Sequence, residues 1–403
     1  MKLQFKPTEP PPGVALSDWQ SWQWQLGNRL SATDEFVRYF QLSENERLAF
    51  SGAERLFKVQ ATPYYASLAS RENVNDPIRR MILPLTEELS ARGQQVSDPL
   101  GEKRHSPVKR LVHRYPDRVL FLVTDTCSVY CRYCLRKYFT GQDEAFVSSH
   151  EYQAALAYIR EQKGIREVIL SGGDPLTLSD SRLLKVISDL RAIEHVELIR
   201  IGTRMPVVCP MRITPELVQA LKGHHPVYMM VHFNHPRELT AEAATALTLL
   251  VDNGFPVFNQ MVLLRGVNNH AAIVQALSRR LLRLRIKPYY MFQCDPSEGT
   301  DHFRISIEES LEIQRELWGR MSGLAMPNLS LDIPGGGGKV GLTPDFIVEK
   351  SAQKWRFQGW DGFSADYLNP QNTLAMQPSD VADYLEEWQM VCDQQYGSSE
   401  VLV

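Results

Sequence analysis

The sequence predicts an α/β fold in which six strand–helix units build a parallel sheet. Two observations support this prediction. Apolar, β-branched runs alternate along the chain with amphipathic stretches whose apolar residues recur at spacings of three or four. Unusual residues also follow the carboxyl ends of five of these runs, as they do in barrels and open α/β sheets. Right-handed crossovers join strands in such a rhythm, and both an open sheet and a partial barrel fit it.

The predicted strands begin after about residue 110. They are residues 118–123, 166–170, 196–201, 227–233, 257–264 and 288–294. The unusual residues that follow them are 124–134, 171–175, 202–206, 232–236 and 294–295. We expect these segments to converge at one edge of the sheet, where strand-end loops build sites.

The chain divides into three predicted regions. Residues 1–112 are a helical N-terminal region, in which Trp19, Trp22 and Leu26 recur at helical spacing after a cap at Ser17 or Asp18. The strand–helix units occupy residues 113–310, and residues 311–403 form a C-terminal segment and tail.

Composition excludes several classes of protein. The chain has 403 residues, 43% hydrophobic and 23% charged, as is ordinary for a globular protein. Its net charge of −3 gives no bulk attraction to nucleic acid or to an anionic membrane. The first residues, MKLQFKPTEPPPG, lack the apolar run of a signal peptide, and no stretch is suited to span a membrane. We expect a cytoplasmic protein with reduced thiols.

Three of the six cysteines lie within eight residues, at Cys127, Cys131 and Cys134. Their odd number and the scatter of the other three argue against disulfides. Thiolates this close suit an iron–sulfur cluster or most of a zinc site, but a structural zinc ion needs a fourth ligand at short range. Three thiolates on a cluster leave one iron open for another ligand.

Two glycine-rich segments are further candidates. In Ser171-Gly172-Gly173-Asp174, glycines after a strand open the backbone to a ligand. Four glycines precede Lys339, but Val340 stands where a P-loop needs Ser or Thr.

Charged residues near the strand ends complete the set. Arg136 can bind a carboxylate through two hydrogen bonds. Asp295 and Asp332 lie in apolar surroundings, where a carboxylate needs a cationic partner. Arg204 and His232 are strand-end candidates for contact with a cofactor or a phosphate.

The cysteine motif CSVYCRYCLRKYFTG is followed in order by SGGDPL, IGTRMPVV, HFNHP, NQMVLLRGVN, PYYMFQCD and PGGGGK. This series resembles the lysine 2,3-aminomutase family of radical S-adenosylmethionine (SAM) enzymes, from about Trp19 to about Phe346. The resemblance implies a partial (β/α)6 barrel of the TIM type, with a helical N-terminal region and a C-terminal extension.

The resemblance also implies cofactors and the residues that bind them. Cys127, Cys131 and Cys134 would hold a four-iron, four-sulfur (4Fe-4S) cluster, whose fourth iron binds SAM. One electron from the cluster would cleave SAM to methionine and a 5′-deoxyadenosyl radical. The segment Gly172, Gly173 and Asp174 would meet the methionine part of SAM.

A second cofactor and the substrate follow from the same resemblance. Lys339 would bind pyridoxal 5′-phosphate (PLP) covalently, with Arg114 near an anionic group of PLP. Arg136 would bind the substrate carboxylate, and Asp295 and Asp332 would bind the distal ammonium of a lysine-like substrate.

The implied reaction moves the α-amino group of an amino acid to its β-carbon, with L-lysine to β-lysine as the first hypothesis. Arginine, ornithine or glutamate could be the substrate instead, and two aspartates disfavour glutamate because its distal group is anionic. The sequence also leaves open a lysine aminomutase that feeds translation-factor modification and a cluster-binding regulator without catalysis. We expect a small-molecule amino acid substrate, a reducing electron donor of flavodoxin or ferredoxin type, a homo-oligomer, and no nucleic-acid or membrane partner.

Two departures from the family pattern matter. The C-terminal region has only Cys392, and His270 stands where the family's additional zinc-binding cysteine would lie, so we predict no structural zinc. Tyr133 replaces the histidine often found in the cluster motif, and Leu135 and Lys137 also vary.

Overall fold

The computed structural model describes residues 5–90, 96–141, 146–370 and 378–392. Its main feature is a sheet of nine strands whose spatial order follows the order of the chain. They are β1 Leu111–Tyr115, β2 Arg118–Thr124, β3 Glu167–Gly172, β4 Leu198–Thr203, β5 Val227–Val231, β6 Val257–Val262, β7 Lys287–Phe292, β8 Asn328–Ile333 and β9 Gly338–Gly341. Strands β2 to β8 pair in parallel, and β1 and β9 pair antiparallel at the two edges.

Helices join the parallel strands, as the sequence predicts. The connecting helices are α7 Ser149–Glu161, α8 Asp180–Arg191, α9 Met205–Val208, α10 Pro215–Lys222, α11 Ala241–Asp252, α12 Ala271–Arg283 and α13 Ile307–Leu317. Ser and Thr side chains cap the N-termini of most of them. His270 caps α12, because its Nδ1 accepts from the Ala272 N–H at 3.1 Å.

The N-terminal region is helical, as predicted. It contains α1 Leu16–Trp19, α2 Trp22–Gly27, α3 Thr33–Tyr39, α4 Glu44–Leu56, α5 Pro63–Ser67 and α6 Pro77–Ile82. The single helix predicted after Ser17 is wrong, since the chain breaks between α1 and α2 and Ser21 caps the second helix. Trp19 is buried in the core.

The partial barrel is confirmed, and it holds one more parallel strand than the six predicted. All six predicted strands are present, and β8 adds a seventh after α13. The sheet therefore continues past residue 310 and carries Asp332 on β8 and Lys339 on β9. This places both residues beside the strand ends of the barrel.

A separate antiparallel sheet follows the barrel. Its strands are β10 Ile347–Lys350, β11 Lys354–Gln358 and β12 Ser364–Leu368, and a last helix, α14, spans Val381–Cys392. Large apolar side chains on and beside this sheet are exposed, among them Trp360, Phe363 and Leu368. Among the described residues, no helix is long and apolar enough to cross a membrane.

Candidate active site

A cavity of about 1420 Å³ extends along the inside of the partial barrel, from the first residues of strands such as β3 and β7 to the carboxyl ends of the parallel strands. At the carboxyl ends its walls come from the cysteine loop, from the strand ends and from the glycine-rich loop before Lys339. Pockets for one drug-sized ligand usually measure about 300–1,000 Å³. The cavity is therefore large enough for more than one bound group.

The cysteine loop follows β2 and is held against the N-terminal region. Gln60 donates its side-chain N–H to the carbonyl of Cys127 at 2.7 Å, and the N–H of Tyr130 bonds to the carbonyl of Gln60. Arg132 and Glu88 form an ion pair at 2.5 Å whose side chains are both fully buried. These contacts fix a loop that has no regular secondary structure of its own.

Cys127, Cys131 and Cys134, the predicted cluster residues, all line the cavity. Among the described residues, no three His, Cys, Asp or Glu side chains are grouped as a single-ion metal site. An iron–sulfur cluster differs from such a site because each thiolate binds a different iron, so the sulfurs need only surround a cluster-sized space. Arg204 donates from Nη1 to the Cys131 Sγ at 2.8 Å, a contact that suits a thiolate.

Gly172 and Gly173 allow β3 to pack against the start of the cysteine loop. A Cβ on Gly172 would lie 2.0 Å from the Thr124 carbonyl oxygen, and one on Gly173 would lie 2.2 Å from that of Thr126. The N–H of Gly173 bonds to the Thr124 carbonyl at 2.7 Å. The glycines thus serve a close backbone contact, and this N–H is occupied within the protein.

Asp174 joins the ends of two strands. Its Oδ1 accepts from Thr203 Oγ1 at 2.7 Å and from the Leu176 N–H at 3.0 Å, and its Oδ2 accepts from the Arg204 N–H at 2.7 Å. The carboxylate is buried and lines the cavity. These bonds hold the ends of β3 and β4 together.

Arg204 belongs to a buried polar network. Its Nη2 bonds to Tyr65 Oη at 2.6 Å and to Glu238 Oε1 at 2.9 Å. Glu238 is fully buried and also accepts from the N–H groups of Asn234 and His235 at 2.6 and 2.8 Å. The network orients the guanidinium toward Cys131.

His232 pairs with Tyr133, the residue that departs from the family's cluster motif. Their rings stack with centroids 5.7 Å apart, and His232 Nε2 lies 3.1 Å from Tyr133 Oη. Asn234 donates to the same Oη at 2.7 Å, so the tyrosine O–H is free to donate to His232. Burial lowers the pKa of His232 to about 3, which keeps the ring neutral.

Lys339 extends into the cavity from β9. Its Nζ lies 4.3 Å from the centroid of the Phe292 ring, and its backbone N–H donates to Tyr115 Oη at 2.9 Å. Arg114 is near: a Cβ on Gly338, whose φ is +87°, would lie 3.1 Å from Arg114 Nη2. The structure thus brings together Lys339, an aromatic wall and an arginine.

Asp295 lies after β7 on the wall of the same cavity. Its Oδ1 is buried without a hydrogen-bond partner among the described residues. Burial and the nearby Asp332 carboxylate raise the pKa of Asp295 to about 7. Lys339 and Arg136 oppose this rise only in part. The cavity therefore contains a buried carboxyl oxygen that has no hydrogen-bond partner in the described part of the chain.

Arg136 is already paired within the protein. Its Nε and Nη2 donate to the Glu102 carboxylate at 2.8–3.0 Å. Burial raises the pKa of Glu102, but the charge of Arg136 and its hydrogen bonds together hold this pKa below its ordinary value. Nη1 of Arg136 lies 3.4 Å from Ser171 Oγ at the end of β3.

Sequence reasoning missed Glu102, Tyr115 and Phe292, which also line the cavity. Tyr115 follows Arg114 directly, so the same local signal could have found it. Phe292 belongs to a predicted strand, where an aromatic residue is expected anyway. Glu102 lies in a polar stretch with no periodicity, and no local signal identifies it.

A partial barrel with three closely spaced cysteines after its first parallel strand defines the class of radical SAM enzymes. Residues 121–276 match the family model described as the radical SAM superfamily, and residues 314–402 match the model described as lysine-2,3-aminomutase. The chain belongs to the lysine 2,3-aminomutase family.

Curated relatives support this assignment along most of the chain. The chain is 43% identical over 359 residues to L-lysine 2,3-aminomutase of Clostridium subterminale, covering 89% of this chain and 86% of the relative. It is 42% identical over 376 residues to the L-lysine 2,3-aminomutase of Bacillus subtilis (93% and 80%). It is also 40% identical over 345 residues to glutamate 2,3-aminomutase of Clostridioides difficile (86% and 82%).

The protein is accordingly an isomerase that uses a 4Fe-4S cluster, SAM and PLP. The residues present fit these groups. The three cysteine sulfurs could hold the cluster at the cavity wall. Lys339 and Arg114 line the same cavity, and a side chain at Gly338 would crowd the Arg114 guanidinium.

Proposed function

We propose that the protein converts L-lysine to β-lysine. The observation that carries this proposal is the Asp295 carboxyl group, whose Oδ1 is buried without a partner in the described part of the chain, close to Asp332. In this structure Asp332 pairs with Lys339 Nζ at 2.6 Å. Because the proposal commits that amine to PLP, the two neighbouring carboxylates are left to bind another cation. The distal ammonium of lysine supplies that cation.

In the proposed assignment, each end of the substrate has its own partner. Arg136 keeps N–H groups beyond those bonded to Glu102, and these bind the α-carboxylate. Asp295 and Asp332 bind the distal ammonium. Two fixed ends place the carbons between them, which is how binding orients a substrate for reaction.

We also propose which residues hold the cofactors. Cys127, Cys131 and Cys134 bind the cluster, and Arg204 donates a hydrogen bond to the Cys131 sulfur. Lys339 anchors PLP, with Arg114 beside it. When bound, the cluster and SAM supply a hydrogen-abstracting radical, and PLP supplies a conjugated π-system.

Gly172, Gly173, Asp174 and His232 are proposed to shape the SAM side of the cavity. Asp174 acts through its bonds to the β4 end, because both of its carboxylate oxygens accept hydrogen bonds from protein groups. His232 presents a neutral ring, which places no extra charge beside a cationic cofactor.

A substrate panel tests the proposal. The protein is reconstituted anaerobically with iron, sulfide, SAM, PLP and a reductant, and is offered lysine, arginine, ornithine and glutamate. We expect β-lysine, separated from lysine by retention at equal mass. Deoxyadenosine without any β-amino acid would refute the proposed function, and preference for another amino acid would refute the choice of lysine.

Two partners complete the proposal. A flavodoxin or ferredoxin type of donor reduces the cluster. A homo-oligomer is supported by exposed apolar residues on and beside the C-terminal sheet, where Trp360 is 62% exposed and Phe363 and Leu368 are each 71% exposed.

A further inference from the structure

Glu102 and Arg136 form a side-on fork at the wall of the cavity. Arg136 Nε lies 3.0 Å from both Glu102 carboxylate oxygens, and Nη2 lies 2.8 Å from Oε1. The two side chains, of Arg136 and Glu102, are 20% and 6% exposed. An arginine–carboxylate pair in this geometry fixes the plane of the guanidinium group.

The fork leaves one edge of the guanidinium group unused by Glu102. A guanidinium carries five N–H donors, and the fork takes one from Nε and one from Nη2. Of the three other donors, one on Nη1 and one on Nη2 lie on the Nη1–Nη2 edge. Nη1 lies beside Ser171 at the carboxyl end of β3, so this edge lies on the cavity wall.

Glu102 is itself fixed by its neighbours. Tyr138 donates its O–H to Glu102 Oε2 at 2.6 Å. The backbone N–H groups of Glu102 and Lys103 each donate to the Asp98 carboxylate at 2.9 Å. The carboxylate therefore holds Arg136 from a rigid support.

The segment that carries Glu102 also contacts the loop that precedes Lys339. The Gly335 N–H bonds to the Pro99 carbonyl at 2.8 Å. Gly101 has φ +61°, and a Cβ there would lie 2.7 Å from the Gly335 carbonyl oxygen. Residues 99–102 therefore contact both the Arg136 guanidinium and the loop that leads to Lys339.

We propose that Glu102 is a positioning residue that holds Arg136 end-on toward the substrate carboxylate. The inference rests on the proposed function, in which Arg136 binds that carboxylate. Arg136 and Asp295 line the same cavity, so a guanidinium released from Glu102 would share that space with the Asp295 carboxylate. By fixing the orientation of Arg136, Glu102 directs its guanidinium to the carboxylate of the substrate. Asp295 then stays available to bind the distal ammonium.

Calorimetric titration tests the inference without turnover. The probes are L-lysine and 1,5-diaminopentane, which lacks the carboxylate, added to anaerobic protein holding cluster, SAM and PLP but no reductant. In Glu102→Gln, we expect lysine affinity to fall about tenfold or more and diamine affinity to change less than about twofold. Tyr138→Phe should weaken lysine binding in the same direction by about two- to fivefold.

Controls separate positioning from general damage. Glu197→Gln removes an equal charge from an exposed pair with Arg166 and should leave both affinities unchanged. If Glu102→Gln does not fold, Tyr138→Phe decides by the same comparison. The losses of lysine affinity in Arg136→Lys and in Glu102→Gln should be strongly non-additive when the two substitutions are combined in a double-mutant cycle.

Three outcomes overturn the inference: unchanged lysine affinity in the variants, equal loss for lysine and diamine, or native protein that binds lysine no better than the diamine. Lysine-selective binding without any β-product in the substrate panel would instead refute the proposed function and leave the role of Glu102 intact.

Discussion

Lys339 and Asp332 stand directly opposite each other on the antiparallel strands β9 and β8. Lys339 Nζ lies 2.8 and 2.6 Å from the two carboxylate oxygens of Asp332. The hairpin register therefore pairs the proposed PLP lysine with a proposed substrate-binding aspartate. The glycine-rich turn between the strands sets that register.

Lys339→Ala should abolish PLP binding. The side chain is the amine that the proposal assigns to the cofactor, and no backbone group can replace a covalent anchor. Reconstituted variant, freed of unbound PLP by gel filtration, should lack the visible absorption band of the native protein. Lys350→Ala removes an exposed lysine over the Trp355 ring and should keep the band. A full band in Lys339→Ala would refute the anchor.

Asp295 should make lysine affinity depend on pH. Its pKa is raised to about 7 by burial and by Asp332, so the carboxyl group is neutral below that pH and cannot pair with an ammonium. Affinity for lysine should fall about eight- to tenfold from pH 8 to pH 6. Asp295→Asn should bind lysine weakly, and its affinity should change about tenfold less than the native affinity across this range. Asp361→Asn, at an exposed turn, should behave like the native protein, and a pH-independent native affinity would contradict the account.

Gly173→Ala should disrupt the cysteine loop. The new Cβ would lie 2.2 Å from the Thr126 carbonyl oxygen, so the loop must move away from β3. We expect less bound iron and sulfide per chain, and SAM cleavage slower by about 100-fold, because small displacements cost reactions heavily. Gly223→Ala is the matched control, since its nearest atom lies 3.7 Å away. Normal cluster content and SAM cleavage in Gly173→Ala would show that the close approach is dispensable.

Glu238→Gln should destabilise the fold. The carboxylate is fully buried and paired with Arg204 Nη2 at 2.9 Å, so the substitution removes the buried carboxylate that neutralises Arg204 at Nη2. The free energy of unfolding in urea should fall by about 3 kcal/mol. Glu312→Gln, in an exposed pair with Arg315, should cost less than about 0.5 kcal/mol. A loss under about 1 kcal/mol in Glu238→Gln would mean that the network is not needed for stability.

The parallel strands were predictable because their signal is local. Runs such as residues 166–170 and 288–294 are apolar and β-branched or aromatic, and they reappear in β3 and β7. Strand β8 was not recognised, because its LDI stretch adjoins the glycine-rich loop and its burial does not alternate. Strand β1 is half-polar and lies at an edge of the sheet, so its apolar signal is weak.

The presence of candidate residues on the cavity wall was predictable where spacing or a linear motif marks them. Cys127, Cys131 and Cys134 are such a case, and so is Lys339 after four glycines. The physical role of Gly172 and Gly173 was only partly predicted, since they also accommodate the carbonyls of Thr124 and Thr126. Those contacts arise from tertiary packing, which spacing along the chain does not report.

The most direct test of the central claim follows one hydrogen atom. L-lysine carrying deuterium on the β-carbon is converted by the reconstituted protein, and β-lysine and recovered SAM are analysed by mass spectrometry. The account predicts deuterium at the α-carbon of β-lysine and in the SAM pool, because a radical removes and returns the hydrogen within the cavity. Complete loss of the label to water would indicate proton abstraction by a base and would contradict the account.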